Sequence, residues 1–146
     1  MLLGFGLVLT IDLQPAFFKE DLPEKVAARI LQLYGSSINP YVFNTVERMA
    51  GGSNSCLVFL DSWHGKDHVL KELEMYSPLV GVGSYIVVED THASRKGHPV
   101  KWKYDDEGAM GAVREFMKDN DNFIIDESLE YNLMTFNPNG WIKRIK

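Results

Sequence analysis

Three acidic residues follow two short apolar runs in the middle of the chain. Residues 57–60 end at Asp61, and residues 85–88 end at the pair Glu89 and Asp90. If the two runs are neighbouring parallel strands, their carboxyl ends meet at one edge of a sheet and bring the three carboxylates close together. Such carboxylates repel one another, and a divalent cation such as Mg²⁺ with oxygen ligands removes the repulsion. The alternative is that the acids cap the next helix or lie in solvated turns.

A fourth acid could bind a nucleotide. Asp12 ends the apolar run of residues 7–11, and an acid in that place can accept hydrogen bonds from the two hydroxyls of a ribose. Ser36 and Ser37 follow the run of residues 29–34 and could contact an adenine. For all three residues, a role in a cap or a turn remains the alternative.

His64, three residues after Asp61, is a candidate general base. The unperturbed imidazole pKa of about 6.5 suits proton abstraction near neutral pH. His68, one helical turn further, either orients His64 or packs, and Trp63 either covers the face of a ligand or fills the core. His92 lies near the start of a long polar segment at residues 91–107. We expect this segment to be exposed to solvent and to select the substrate.

The elements that must position these residues alternate between short apolar runs and helical patterns, which is typical of a parallel α/β sheet. Strands are predicted at residues 7–11, 29–34, 56–60, 84–88, 123–125 and 133–136. Helices are predicted at residues 40–49, 66–76 and 108–118, the first with Asn39 as its N-cap. The NPNG turn at residues 137–140 indicates an antiparallel hairpin at the end of the chain.

The helical pattern at residues 66–76 separates an apolar side from a polar side. The apolar side carries Val69, Leu70, Leu73 and Tyr76. The polar side, which we expect to face solvent, carries Lys66, Lys71, Glu72 and Glu74.

The composition limits the class of protein. With 146 residues, 45% hydrophobic and 24% charged, the chain has the size and balance of one globular domain. A net charge of -5 argues against a nucleic-acid groove, which needs clustered Lys and Arg. The cations near the end, Lys143, Arg144 and Lys146, are interpreted as a solvated tail.

The single cysteine and the first residues bear on localisation. Cys56 excludes an internal disulfide and a cysteine-rich zinc site, and its place in an apolar run predicts a buried, inert thiol. The apolar start has no basic segment before it and is shorter than the ~20 residues of a spanning helix, so we expect neither a signal peptide nor a transmembrane segment. A cytoplasmic protein fits these features.

Four motifs in order carry a resemblance to a known family. They are FLDSWH at residues 59–64, SYIVVEDT at 84–91, GHPV at 97–100 and TFNPNG at 135–140. The chain resembles, from about Leu7 to its last residue, the cephalosporin hydroxylase and rhamnosyl O-methyltransferase family. That family is built on the class I S-adenosylmethionine-dependent methyltransferase fold. The resemblance therefore implies a Rossmann-like, mostly parallel α/β sheet that ends in an antiparallel hairpin.

The resemblance also implies roles for the candidate residues. Asp61, Glu89 and Asp90 match the family's magnesium ligands, and His64 stands near the place of a basic residue in related catechol-type O-methyltransferases. For S-adenosylmethionine, Asp12 matches the acid that binds the ribose, and Ser37, next to Ser36, matches the adenine contact. Asp61 and Trp63 complete the implied cofactor contacts.

The implied reaction is methylation of a hydroxyl on a sugar, a glycolipid or a secondary metabolite. Mg²⁺ acidifies the hydroxyl, His64 accepts its proton, and the oxygen attacks the sulfonium methyl group in line.

Members of the family begin with a strand and a glycine-rich loop before the segment matched by GLVLTID at residues 6–12. We therefore expect residues 1–146 to form a single, partial methyltransferase-like domain without that first strand. Unpaired strand edges in such a domain favour association. The alternatives to an active enzyme are a noncatalytic fragment that forms a homo-oligomer or binds a partner, and a cephalosporin-hydroxylase-type protein.

Overall fold

The computed structural model describes residues 6–14, 22–51, 55–94, 107–130 and 135–146 of the chain. Contacts divide the chain into two compact units, residues 1–49 and residues 50–146. Each unit contains one β-sheet. None of the helices in the described ranges combines the length and the apolar composition that crossing a bilayer requires.

The first unit is built around a two-stranded parallel sheet. In chain order its elements are β1 (Val8–Asp12), α1 (Glu24–Ala27), β2 (Ile30–Tyr34) and α2 (Pro40–Ala50). The register pairs Asp12 with Tyr34, so both strands end at the same edge of the sheet. Helix α2 begins as predicted, because the Oδ1 atom of Asn39 accepts a hydrogen bond from the amide of Tyr41 at 2.9 Å.

The second unit contains a four-stranded mixed sheet in the order β3-β4-β6-β5. Its strands are β3 (Val58–Leu60), β4 (Tyr85–Val88), β5 (Phe123–Ile125) and β6 (Trp141–Arg144). Its helices are α3, Lys66–Tyr76, and α4, Gly108–Lys118, which pack against each other. Strands β3 and β4 are parallel, whereas β6 runs antiparallel to both β4 and β5.

The core of the second unit joins the two helices to the sheet. Ile86 and Val88 alternate along β4 on one face, and both are at most 1% exposed. They belong to one apolar cluster with Leu73 of α3, Val113 of α4 and Ile142 of β6. Because each element contributes fully buried side chains, the cluster fixes α3 and α4 against β4 and β6.

The end of the chain differs from the prediction. The predicted strand at residues 133–136 is wrong for Thr135 and Phe136, which are not in a strand, while residues 133 and 134 lie outside the described residues. The antiparallel partner of β5 is instead β6. The solvated-tail interpretation is wrong for Lys143 and Arg144, because both lie in β6 and the guanidinium of Arg144 donates to the carbonyl of Val80 at 2.6 Å.

The α/β class is confirmed. The end of the chain does contain an antiparallel pair, β5 with β6, but not the predicted hairpin across the NPNG turn, because Thr135 and Phe136 before that turn form no strand. Within the described residues the first sheet is parallel, whereas the second is mixed, with one parallel and two antiparallel strand pairs. The Rossmann-like topology, the absent first strand and a single domain over residues 1–146 stay predictions.

Glu72 lies on the buried side of α3, contrary to the sequence prediction. Its side chain is 1% exposed, although helical spacing groups it with the exposed Lys71 and Glu74. The reason is a contact that the helical pattern does not contain: Ser62, in the loop before α3, donates a hydrogen bond to the Oε1 atom of Glu72 at 2.7 Å. The loop therefore folds back over this part of the helix.

The phenol of Tyr76 makes the stability of the fold dependent on pH. Burial, together with the nearby Glu72 carboxylate, raises the pKa of Tyr76 from 10.0 to about 12. The folded state holds this proton more tightly than the unfolded chain does. Its contribution to stability is therefore complete below pH 10.0 and is lost as the pH rises towards 12.

We expect Tyr76→Phe to remove this part of the alkaline loss in the free energy of unfolding, because phenylalanine has no proton to lose. Urea titrations across the same pH range measure it. Tyr41→Phe, at a tyrosine that is 83% exposed, is the matched control and should keep the wild-type profile. An unchanged alkaline loss in Tyr76→Phe would contradict the assignment.

Candidate active site

The candidate site lies at the edge of the second sheet where β3 and β4 end. The two strands are parallel, and their register pairs Leu60 with Val88. The amide of Glu89 continues this ladder by donating to the carbonyl of Leu60 at 3.0 Å. Asp61 and Asp90 therefore leave the sheet at the same edge, as the sequence predicts.

The structure brings Asp61, His64 and Asp90 together. The Nε2 atom of His64 lies 3.8 Å from Oδ1 of Asp61 and 3.6 Å from Oδ2 of Asp90. One potential ligand atom from each residue lies within 4.8 Å of the others. The side-chain exposure rises from 16% for His64 through 31% for Asp90 to 70% for Asp61, so the group opens to solvent on the Asp61 side.

This donor set fits a divalent cation. Two carboxylate oxygens suit Mg²⁺, and an imidazole nitrogen is also accepted by ions such as Mn²⁺ or Zn²⁺. Glu89, the third predicted ligand, is not a member of the group. The interpretation of Asp61 as a helix cap is wrong, because the N-cap residue of α3 is Gly65 and no side chain of the described residues caps the helix.

Asp90 is held in an unusual backbone conformation. Its φ is 56°, in the left-handed region that few non-glycine residues adopt. The Oδ1 atom of Asn137 accepts a hydrogen bond from the Asp90 amide at 3.0 Å, and the hydroxyl of Thr91 donates to the carbonyl of Pro138 at 2.7 Å. These contacts come from the TFNPNG motif, which therefore fixes the loop after β4.

The same segment explains the glycine at its end. Gly140 accepts a hydrogen bond from the amide of Val88 at 2.9 Å through its own carbonyl. A Cβ atom at residue 140 would collide with the backbone oxygen of Val88. Only glycine therefore allows the two strands this approach directly before Asp90.

A second histidine lies beside Asp90, where the sequence predicted only exposure. The Nδ1 atom of His92 lies 3.7 Å from Oδ1 of Asp90 and 2.7 Å from the carbonyl oxygen of Phe136. A carbonyl oxygen only accepts, so Nδ1 carries the proton, and the Nε2 atom of neutral His92 is the acceptor. The rings of His92 and Phe136 meet edge to face at 5.1 Å, and the Phe136 side chain is 69% exposed.

The remaining site residue of this unit is exposed. Trp63 lies between Asp61 and His64 in the chain and is 59% exposed. The interpretation in which it fills the core is therefore wrong, and the one in which it covers a ligand stays a prediction. Cys56, at the other end of this segment, is half-buried, and burial raises the pKa of its thiol, as expected for an inert cysteine.

The nucleotide candidates lie in the first unit. Asp12 ends β1, is exposed, and accepts a hydrogen bond from the amide of Gln14 at 2.9 Å through Oδ1. Ser36 and Ser37 are half-buried and follow β2, and the amide of Gly35 donates to the carbonyl of Asp12 at 2.9 Å. The three candidates therefore share one edge of the two-stranded sheet. A turn contact by one oxygen of Asp12 is compatible with hydroxyl binding, because a carboxylate accepts several hydrogen bonds.

The chain has relatives of known name. A family model described as Rhamnosyl O-methyltransferase/CmcI matches residues 2–145. A protein named Rhamnosyl O-methyltransferase from Mycobacterium leprae (strain TN) is 30% identical over 138 residues, which cover 91% of this chain and 55% of that protein. Proteins of the same name from Mycobacterium bovis (strain BCG / Pasteur 1173P2) and Mycobacterium tuberculosis (strain ATCC 25618 / H37Rv) are 35% identical over 72 residues, or 49% of this chain and 29% of each relative. The chain thus spans about half the length of the Mycobacterium leprae relative, and its match covers a smaller part of the other two.

We expect Asn137→Ala to lower the free energy of unfolding by about 1–3 kcal/mol, because the part-buried amide of Asp90 loses its acceptor. Urea titration of the purified chain measures the loss. Asn122→Ala, at an exposed asparagine of the same unit, is the matched control and should change the value little. Equal stability of the two variants would show that the Asn137 contact does not hold the loop.

Proposed function

The chain belongs to the Rhamnosyl O-methyltransferase/CmcI family, and we propose that it acts in the S-adenosylmethionine- and Mg²⁺-dependent methylation of a sugar hydroxyl. The observation that carries this proposal is the convergence of Asp61, His64 and Asp90 at the carboxyl edge of β3 and β4. In open α/β sheets, ligands bind beyond this edge.

We assign the cation to Asp61 and Asp90, with Glu89 as a third carboxylate in the same loop. When bound, S-adenosylmethionine supplies the methyl group and Mg²⁺ acts as a Lewis acid on the acceptor hydroxyl. The open Asp61 side gives an acceptor access to the two carboxylates. The less exposed His64 side limits the water around the reacting oxygen.

His64 acts as the general base in this proposal. A neutral imidazole has one acceptor nitrogen, so an Nε2 atom that takes a proton cannot also bind the cation. The Nε2 atom lies 3.8 Å from Asp61 and 3.6 Å from Asp90, so it stands beside the place where a hydroxyl on the proposed cation would lie. With S-adenosylmethionine bound, the deprotonated acceptor oxygen would form its bond to the methyl carbon, and the electrons of the broken carbon–sulfur bond would remain on sulfur.

Asp12, Ser36 and Ser37 are the proposed contacts to the adenosine part of S-adenosylmethionine. Their common edge in the first unit supports this, because a ribose and an adenine need an acceptor and neighbouring polar groups on one side of a sheet. The further cofactor contacts of Asp61 and Trp63 stay predictions.

The acceptor is proposed to be a sugar ring, alone or in a glycolipid. The relatives carry the name Rhamnosyl O-methyltransferase. Trp63 and Phe136 are both exposed aromatic side chains. Trp63 lies between Asp61 and His64 in the chain, and Phe136 precedes Asn137, which binds the amide of Asp90. Aromatic faces of this kind combine apolar area with little conformational freedom, which suits the apolar face of a sugar.

One observation favours the second candidate function, a noncatalytic fragment that associates with itself. Within the described residues β3 pairs only with β4. Phe59 in β3 is 56% exposed, and Leu57, the residue before the strand, is 52% exposed. An exposed apolar edge strand is a template for pairing with another chain.

Titration calorimetry with S-adenosylmethionine, with and without Mg²⁺, tests the proposal on the whole chain. We expect saturable binding that Asp12→Ala abolishes, because the ribose loses its acceptor. Asp121→Ala, at an exposed turn, is the matched control and should bind as the wild type does. A folded chain that gives no heat and elutes as a dimer by light scattering would favour the noncatalytic alternative.

His64→Gln distinguishes a base from a cation ligand. We expect methyl transfer from labelled S-adenosylmethionine to a rhamnoside to fall by about 10²–10⁴-fold, the usual contribution of a general base, while the affinity for Mn²⁺ stays close to that of the wild type. Asp61→Asn should instead weaken Mn²⁺ binding, which electron paramagnetic resonance measures. Loss of Mn²⁺ binding in His64→Gln would make His64 a ligand and overturn its role as base.

A further inference from the structure

Glu72 is a buried carboxylate whose contacts are incomplete. It is 1% exposed, and its Oε2 atom has no hydrogen-bond partner within the described part of the chain. A charged group taken out of water without full pairing lowers stability. Apolar packing of α3 alone would favour leucine or methionine here, so the contacts of the other oxygen must account for the acid.

The other oxygen of Glu72 holds Ser62. The hydroxyl of Ser62 donates to Oε1 of Glu72 at 2.7 Å, and the Nε2 atom of His68 lies 3.1 Å from the same hydroxyl oxygen. A serine hydroxyl has one proton, which is given to the carboxylate. Nε2 of His68 is therefore the donor of the second bond. The Nε2 atom of His68 also lies 3.5 Å from the Oε1 atom of Glu72, where its N–H group is attracted by the carboxylate charge.

Ser62 lies between the two site residues that precede α3. The Nε2 atom of His64 lies 3.8 Å from the Oδ1 atom of Asp61, which is longer than a hydrogen bond, so no hydrogen bond between these two side chains fixes their positions. Asp61 is also 70% exposed. The loop is fixed at one end by β3 and at the other by α3, and the Glu72–Ser62 bond anchors its middle.

We infer that Glu72 and Ser62, assisted by His68, are positioning residues that set the place of Asp61 and His64 for the cation. The inference rests on the proposed function of the acidic site. The three residues touch neither the cation nor the substrate, and they act through the backbone of the loop. Residues that orient ligands in this way typically change metal affinity by about 10–100-fold when they are removed.

The test is the affinity of the whole chain for Mn²⁺, used alone as the probe and measured by electron paramagnetic resonance, beside the melting temperature of the cation-free protein. We expect Ser62→Ala to weaken binding by about 10–100-fold. Ser62→Thr keeps the hydroxyl and should restore binding. Ser62→Ala leaves the Oε1 atom of the buried Glu72 without this donor, so we expect a lower melting temperature as well, whereas Ser62→Thr should keep the wild-type value.

Glu72→Leu gives a second, opposite signature. It removes the incompletely paired charge, so we expect a melting temperature equal to or above that of the wild type together with weaker Mn²⁺ binding. Glu74→Leu is the matched control, because the same substitution lies two residues further along α3 at a side chain that is 54% exposed. It should leave Mn²⁺ binding unchanged.

The outcomes separate the two proposals. A wild-type chain that binds no Mn²⁺ overturns the proposed cation site, and the positioning role falls with it. Wild-type binding that Ser62→Ala leaves unchanged overturns the positioning role alone. A lower melting temperature with unchanged Mn²⁺ affinity in Glu72→Leu overturns it as well, since the residue would then serve only the fold. If Glu72→Leu does not fold, the Ser62 variants decide.

Discussion

The parallel pairing of β3 with β4 is the constraint on which the candidate active site depends. The register that places Leu60 beside Val88 makes the strands end together and carries Asp61 and Asp90 to one edge. Strand β4 is held between two neighbours, because β6 pairs with its other side and Ile86, Val87 and Val88 are all buried. A hydrophobic core thus determines the distance between two charged groups that never enter it.

The convergence of two carboxylates opposes folding unless other contacts hold the loops. On one side Asn137 binds the amide of Asp90 and keeps it in the left-handed conformation. On the other side Glu72 binds Ser62 beside Asp61. In each case a polar, mostly buried side chain from another part of the unit fixes a short loop. Asn137 stabilises the fold by this contact, whereas Glu72 has an oxygen without a partner among the described residues and is buried at the expense of stability, which is typical of functional sites.

The family and the geometry support different parts of the proposed function. Family membership supports the proposed reaction class, while the positions of His64 and the two acids are the basis for their proposed roles in proton transfer and cation binding. The first unit adds Asp12 and Ser37 at one edge of its own sheet, where the strands end together. The two edges follow the same physical rule, since parallel strands gather the residues that follow them.

The sequence by itself determined what depends on local pattern. The alternation of apolar runs and helices predicted most elements, and the rule for parallel strands predicted that Asp61 and Asp90 meet. The tertiary structure decided what depends on neighbours remote in the chain. It buried Glu72 against the loop before α3, and it drew the basic end of the chain into β6. It also brought His64 next to Asp61 and Asp90. The reason is that helical and strand periodicities report only the side on which a residue lies, whereas burial and hydrogen bonding depend on which other segment covers that side.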